Sequence, residues 1–306
     1  MNKIKVGLIY GGESFEHEVS KMTAKSIFEH IDRELFDITK IYINKQGKFD
    51  EDLLKKIDVA FLAVHGPNCE DGVLQKFLED RNIKYTGSGV KASQINMNKT
   101  VMHDMYAKND LPVVEHKGFD LTEIDNIKSY IDKIGLPVIM KPNNMGSSVG
   151  MSKINKINEV DGAIELAKDC DDSIIVEKAV KNPREIEIGI LGNSHLIISE
   201  PGEILTHGEL YSYETKYNNP FSTTLSPNLT EIQIEKIKNI AKKAYTSTGC
   251  KGYSRVDLLM ENDEIFINEI NTLPGFTSIS MFPKLMRNIG INYKDLITKI
   301  INLALE

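Results

Sequence analysis

The sequence predicts an α/β protein that opens with an open-sheet α/β domain and continues through two further mixed units. Three stretches carry that reading. They are an alternation of strand, glycine turn and helix at the start, a glycine- and serine-rich loop between two strands near residue 145, and a β-hairpin beginning at Tyr253. Alternating strands and helices build a sheet covered by helices, and apolar runs around a polar turn build a hairpin.

In the first unit, residues 1–92, KIKVGLIY (3–10) reads as a buried strand, followed by Gly11-Gly12 and an amphipathic helix to about His30. A strand, a glycine turn and a helix N-terminus make a natural anion or ligand site, although the GxGxxG dinucleotide fingerprint is absent. Strands follow at 37–43 and 59–64. The latter ends in His65-Gly66-Pro67-Asn68-Cys69-Glu70-Asp71-Gly72, at the carboxyl end of a strand where ligands sit in open sheets. A lone histidine is most often structural. One followed by glycine at a strand end, opposite a second glycine turn, is a better candidate. A helix over 73–81 leads to Tyr85–Gly89, which reads as the end of this unit.

The second unit, 93–181, begins with a helix over 98–109 carrying Lys99, an extended segment from Leu111, and a helix over 122–135 closed by Gly135. The strand 136–141 runs into Pro142–Met151, whose backbone N–H groups and Ser147 and Ser148 hydroxyls suit phosphate oxygens. It is not a Walker A loop, because it lacks GK[ST] and leads to a strand. A helix over 157–168 and a strand over 173–180 complete the unit. The third, 182–306, has strands at 185–191 and 195–200. A polar, tyrosine-rich segment from His207 to Ser226, with Tyr211, Tyr213 and Tyr217, then reads as a lid. A helix over 230–248, the hairpin, and an amphipathic helix over 293–305 follow.

The chain has 306 residues, 41% hydrophobic and 26% charged, as ordinary globular proteins have. Its net charge of −7 argues against a general nucleic-acid surface. Cys69, Cys170 and Cys250 are far apart and odd in number, which points to reduced thiols, not a disulfide framework or zinc site. No apolar run suits a signal peptide or a bilayer span. A cytoplasmic enzyme or binding protein is the expectation.

The hairpin carries the chemistry. Strand alternation puts Arg255 and Asp257 on one face and Glu269 and Asn271 on one face, so folding brings Asp257, Glu269 and Asn271 together beside Arg255. Carboxylate and amide oxygens are what Mg²⁺ takes. An edge hairpin with solvated charges accounts for Glu261, Asp263 and Glu264. It does not account for four polar groups interleaved with core-forming strands.

Taken together, YGGESFEHEVS, HGPNCEDG, KPNNMGSSVGMSK, YETKY, CKGYSRVDLL and EINTLPGFTSISMFP closely resemble the D-alanine–D-alanine ligases of the ATP-grasp superfamily, over essentially the whole chain and in the family's order. The resemblance implies a two-lobed, α+β ATP-grasp fold after the N-terminal domain. It also implies ATP-dependent joining of two D-alanines through a D-alanyl phosphate for peptidoglycan precursors, in a cytoplasmic homodimer with no nucleic-acid or membrane partner. By the same resemblance, Asp257, Glu269 and Asn271 hold two Mg²⁺ (Mn²⁺ being an alternative), while Lys99, Lys141 and Lys216 contact phosphates. Ser147 and Ser148 belong to the ATP loop, Glu177, Lys178 and Val180 to the adenine hinge, and Glu185 to the ribose. Arg255 and the Gly275 N–H stabilise the oxyanion. Glu16 holds the first substrate's ammonium and is linked through Ser147 to Tyr217, His65 lies beside that substrate, and Ser280 with the Met281 backbone holds the second carboxylate. The chain departs from the family pattern at Asn98, at Met281, at Pro67-Asn68-Cys69 and in the length of 181–184. Rival readings are a D-alanine–D-serine or D-lactate ligase of the glycopeptide-resistance type, and a non-catalytic nucleotide-binding regulator.

Overall fold

The computed structural model describes residues 3–205 and 223–306, which form three sheets. In the first, β1 (Ile4–Gly11), β2 (Phe36–Ile43), β3 (Val59–Val64) and β4 (Lys84–Tyr85) run parallel in the order β2-β1-β3-β4. β3 reads VAFLAV and all its residues are buried, the pattern of a strand covered on both faces. Helices α1 (His17–His30) and α2 (Val73–Glu79) connect the strands.

Two consecutive helices follow, α3 (Val90–Met97) and α4 (Lys99–Lys108). The sequence reading has no helix at α3. Its mixed pattern, VKASQINM, carries little amphipathic signal because Ser93 and Asn96 are buried with Ala92 and Ile95. Asn98 caps α4, its side-chain oxygen accepting from the Val101 N–H at 3.0 Å, so this departure keeps a working helix start.

The second sheet holds β5 (His116–Asp120), β6 (Val138–Pro142), β7 (Ser152–Ile154) and β8 (Ser173–Lys178), antiparallel in the order β5-β8-β6-β7. It is covered by α5 (Ile124–Ile134) and α6 (Val160–Lys168), which bury Ile127, Ile131, Val160 and Ile164 against it.

In the third sheet, β9 (Arg184–Leu191) is paired by β10 (Ile197–Ile198) and β11 (Gly202–Ile204), and β12 (Thr223–Thr224) extends β11. Helix α7 (Glu231–Ser247) opens with Thr230 accepting from Gln233 N while Gln233 bonds back. The expected hairpin is β13 (Tyr253–Glu261) and β14 (Glu264–Asn271), set beside β9. Then come α8 (Met281–Asn288), which the sequence reading does not contain, and α9 (Tyr293–Leu305). Helices α3 and α4 contribute Ala92, Met102 and Tyr106 to the core of the third sheet, while α9 returns Leu296, Ile297, Ile300 and Ile301 to the core of the first. The chain's last helix thus ties its two ends together.

Candidate active site

The register of the third sheet sets the site's charge. Asp257 on β13 is paired with Glu187 on β9 and with Glu269 on β14, a row of three carboxylates across adjacent strands. The next row is Gly189, Arg255 and Asn271. Like charges directly opposite one another destabilise a sheet, so this row needs cations. Arg255 supplies one: its guanidinium donates to both Asp257 oxygens at 2.7 and 2.6 Å and lies 3.1 Å from Glu187. Burial alone would lower the Arg255 pKa, but Asp257, Glu187 and Glu269 outweigh it and hold the guanidinium charged. Asn271 adds an amide to this face, its Nδ2 donating to Asp257 at 2.9 Å. Two carboxylates and an amide form an oxygen donor set that fits a hard divalent cation. Among the described residues no group of three or more His, Cys, Asp and Glu side chains is placed to hold a metal ion.

Helix α8 lies on this face because glycines make room for it. A Cβ on Gly189 would come 2.6 Å from Met286 Cε, and one on Gly202 would come 2.5 Å from Met281 Cε. Ser280 is the N-cap of α8, its hydroxyl oxygen accepting from Thr277 N at 3.1 Å. A Cβ on Gly275 would sit 3.3 Å from Ser280 Oγ, so the Gly275 backbone and the Ser280 hydroxyl adjoin. Both line, with Met281, Arg255, Glu269 and Asn271, a cavity of about 150 Å³.

The first domain closes that cavity. At the end of β1, Gly11 has φ +99, and a Cβ there would meet the Ile43 carbonyl at 2.0 Å, so only glycine fits the turn. Glu16, at the start of α1, accepts a 2.7 Å hydrogen bond from Ser147 Oγ, joining the first domain to the glycine-rich loop. Ser147 and Ser148 take the left-handed conformation (φ +54 and +58). His65 is buried, with Nδ1 donating to Leu273 O (3.2 Å) and Nε2 facing Thr23 Oγ1 (3.2 Å). Burial pulls its pKa down, but Glu70, 3.8 Å away, outweighs it and the net shift is upward. In the loop that departs from the family, Asn68 adopts φ +64 and donates through Nδ2 to Glu13 at 2.9 Å.

A second cavity, of about 330 Å³, shares Lys99, Glu187 and Glu269 with the first. It lies between the second and third sheets and is lined by Lys141, Ser148, Glu177, Lys178, Val180, Glu185 and Asp257. Lys99 Nζ donates to Met145 O at 2.5 Å. Lys141 pairs with Glu177, 2% exposed, at 2.7 Å. Burial works to raise the Glu177 pKa, yet the Lys141 ammonium prevails and keeps it below the usual carboxylate range. The Lys178 ammonium donates to Gly135 O and Leu136 O.

Every site residue expected from the sequence lines one of the two cavities, except Lys216 and Tyr217, which lie outside the described residues, as does 207–222 of the expected lid. Sequence reasoning missed Glu187, Glu70, His103 and Asn268. The alternation in REIEIGIL, with Glu185 and Glu187 spaced by two, was the one available signal for Glu187. The three cysteines are free thiols.

Two antiparallel lobes facing one another across a cleft of lysines and carboxylates define an enzyme of the ATP-grasp class. Comparison with known proteins agrees. Residues 105–302 match the model of the D-ala D-ala ligase C-terminus, and residues 5–54 and 48–88 match that of the D-ala D-ala ligase N-terminus. The chain is 39% identical over 357 residues to the D-alanine–D-alanine ligase of Chloroherpeton thalassium, covering 100% of this chain and 97% of that protein. Among solved structures it superposes on the VanG D-Ala:D-Ser ligase from Enterococcus faecalis (TM-score 0.88, 29% identity, 99% and 100% of the two chains covered). It also superposes on the Bacillus anthracis D-alanine–D-alanine ligase complexed with ATP (TM-score 0.84, 28% identity, 99% and 97% covered). The chain belongs to the D-alanine–D-alanine ligase family.

Proposed function

We propose that this protein joins two molecules of D-alanine, using ATP to activate the first as an acyl phosphate. The observation that carries the reading is the adjacency of the two cavities, which share Lys99 and Glu269. One is long and lysine-lined, as a nucleotide needs, and the other is small and ends at the Gly275 backbone, as a small amino acid needs. A carboxylate is a weak electrophile, so transfer of a phosphoryl group to it must precede attack by an amine.

In this reading Lys99 and Lys141 contact the phosphates with Ser148 and the loop backbone, Glu177, Lys178 and Val180 hold the base, and Glu185 takes the ribose. Asp257, Glu269 and Asn271 would hold divalent cation, two Mg²⁺ in the reading proposed, which neutralises the phosphoryl oxygens when bound. Glu16 binds the ammonium of the first D-alanine, oriented by Ser147, and His65 stands behind it. Ser280 and the Met281 N–H take the second carboxylate at the start of α8, where a helix N-terminus favours an anion. The second amine attacks the acyl carbon, Arg255 and the Gly275 N–H receive the charge on oxygen, and phosphate leaves as the carbonyl reforms. Lys216 and Tyr217 would complete the phosphate and lid contacts.

We further propose that the residues divide as 1–92, 93–181 and 182–306, and that the enzyme works as a cytoplasmic homodimer supplying peptidoglycan precursors. No helix among the described residues is long and apolar enough to cross a membrane. The relative that is 39% identical over the full chain is named a D-alanine–D-alanine ligase, which supports D-alanine at the second position. The deciding experiment offers D-alanine with ATP, alone and mixed with D-serine or D-lactate, and identifies the products by mass. Phosphate release with D-alanyl-D-serine as main product would replace the reading, and no release at all would end it.

A further inference from the structure

Consecutive residues of a strand point to opposite faces, yet Asn268 and Glu269 both line the larger cavity. The register explains it: Asp257 pairs with Glu269 but Leu258 pairs with Ile267, so Asn268 is an extra residue, a β-bulge. The burial pattern shows the same slip of phase, with Ile265 and Ile267 buried and then Ile270. Bulges re-aim a side chain, and this one aims Asn268 across the cleft. Its Oδ1 accepts from Lys141 Nζ on β6 at 3.1 Å, a polar link between the third sheet and the second. The Asn268 carbonyl accepts from His103 Nε2 on α4 at 2.9 Å. His103 is 1% exposed, and burial favours its neutral form, so the hydrogen sits on Nε2. The same ring lies 3.7 Å from Glu177, which holds Lys141 from the other side.

We infer that Asn268 is a positioning residue for Lys141, setting its ammonium against the nucleotide and fixing the span between the two lobes, with His103 anchoring the bulge. A lysine on a flexible stem held by Glu177 alone can swing about that carboxylate. A second acceptor from the opposite lobe removes the freedom before the nucleotide arrives. The inference rests on the proposed contact of Lys141 with the nucleotide, and the test separates the two.

MgADP binding to the full chain is measured by calorimetry for wild type, Asn268→Leu, Lys141→Met and the double variant. Asn268→Ala replaces Asn268→Leu if the larger side chain prevents folding. Asn268→Leu should weaken MgADP on the order of tenfold, the worth of a hydrogen bond to a charged group. In the Lys141→Met background it should change nothing further. Steady-state kinetics should show KM for ATP raised and KM for D-alanine within about twofold of wild type, a split that general loosening of the fold would not produce. If Lys141→Met leaves MgADP affinity unchanged, the nucleotide contact itself falls and the inference with it. If Lys141→Met weakens binding but Asn268→Leu is silent, or its effect adds fully in the double variant, the contact stands and the inference is overturned.

Discussion

Ser147 allows the loop's conformation and its contact to be tested separately. Its hydroxyl donates to Glu16 at 2.7 Å, across two domains, while its own backbone sits at φ +54. A hydrogen bond to a charged acceptor is worth ~1.5–3 kcal/mol, and the half-buried setting argues for the lower end. Left-handed backbone costs a non-glycine residue ~1–2 kcal/mol. Ser147→Ala removes the bond and keeps the strain, so unfolding free energy should fall by ~1.5 kcal/mol. Ser147→Gly removes the bond and relieves the strain, so its stability should return to within ~1 kcal/mol of wild type. Activity should not follow stability. Both variants leave the Glu16 carboxylate without its orienting donor, so both should lose about tenfold in kcat/KM for D-alanine, 1.4 kcal/mol per decade. The assays are urea unfolding and ADP release at varied D-alanine. Wild-type kcat/KM in both variants would refute the positioning of Glu16. Activity that recovers in the glycine variant along with stability would show that the contact serves only the fold.

Other outcomes follow from the same geometry. Asp257→Ala or Glu269→Ala should lower turnover by ~10²–10³ at saturating Mg²⁺, the usual loss of one electrostatic stabiliser; Asp257→Ala should also lower the unfolding temperature, because it takes the bidentate partner from the buried Arg255. Turnover like wild type would remove the row from the chemistry. Glu70→Gln should drop the His65 pKa below its ordinary value of 6.5, because burial pulls it down and Glu70 is the group that reverses the shift. NMR titration of the ring reads the sign. With the folded pKa above the unfolded one, the wild-type pair adds stability that is complete below the unfolded pKa and lost as pH rises through the folded pKa. Unfolding at several pH values should therefore show that contribution missing from the variant on the acid side. Gly189→Ala places a methyl 2.6 Å from Met286 Cε and 3.2 Å from the Phe282 ring, so the Met286 side chain must give way and the packing of α8 is disturbed. A loss of ~1–3 kcal/mol in chemical unfolding, with KM for the second D-alanine raised, is expected.

How far the sequence was readable depends on the range of the interaction. The face shared by Arg255, Asp257, Glu269 and Asn271 follows from alternation within one hairpin, and the structure pairs Arg255 with Asn271 and Asp257 with Glu269. The same holds for the Gly11 turn, for α1 to His30 and for α9, where local pattern and turn chemistry suffice. Glu187 was beyond reach, because its place beside Asp257 depends on which strand β13 chooses as a neighbour. Helix α8 was hidden for another reason. Its amphipathic run is only eight residues long with Pro283 in the first turn, where proline is tolerated, and its packing depends on the distant Gly189 and Gly202.

Asn268 is the instructive case, since its signal was present and of the opposite sense. In EIFINEIN the isoleucines fall at 265, 267 and 270, spacings of two and then three, and a strict strand pattern treats the second spacing as a fault. A regular strand would have sent either Asn268 or Glu269 into the core behind the sheet, leaving a buried polar group unpaired or the cleft face one carboxylate short. The extra residue lets both face the cleft and still returns Ile270 to the core. A broken alternation beside a cluster of charged residues is therefore evidence of a site, and of which residue the backbone has been bent to deliver.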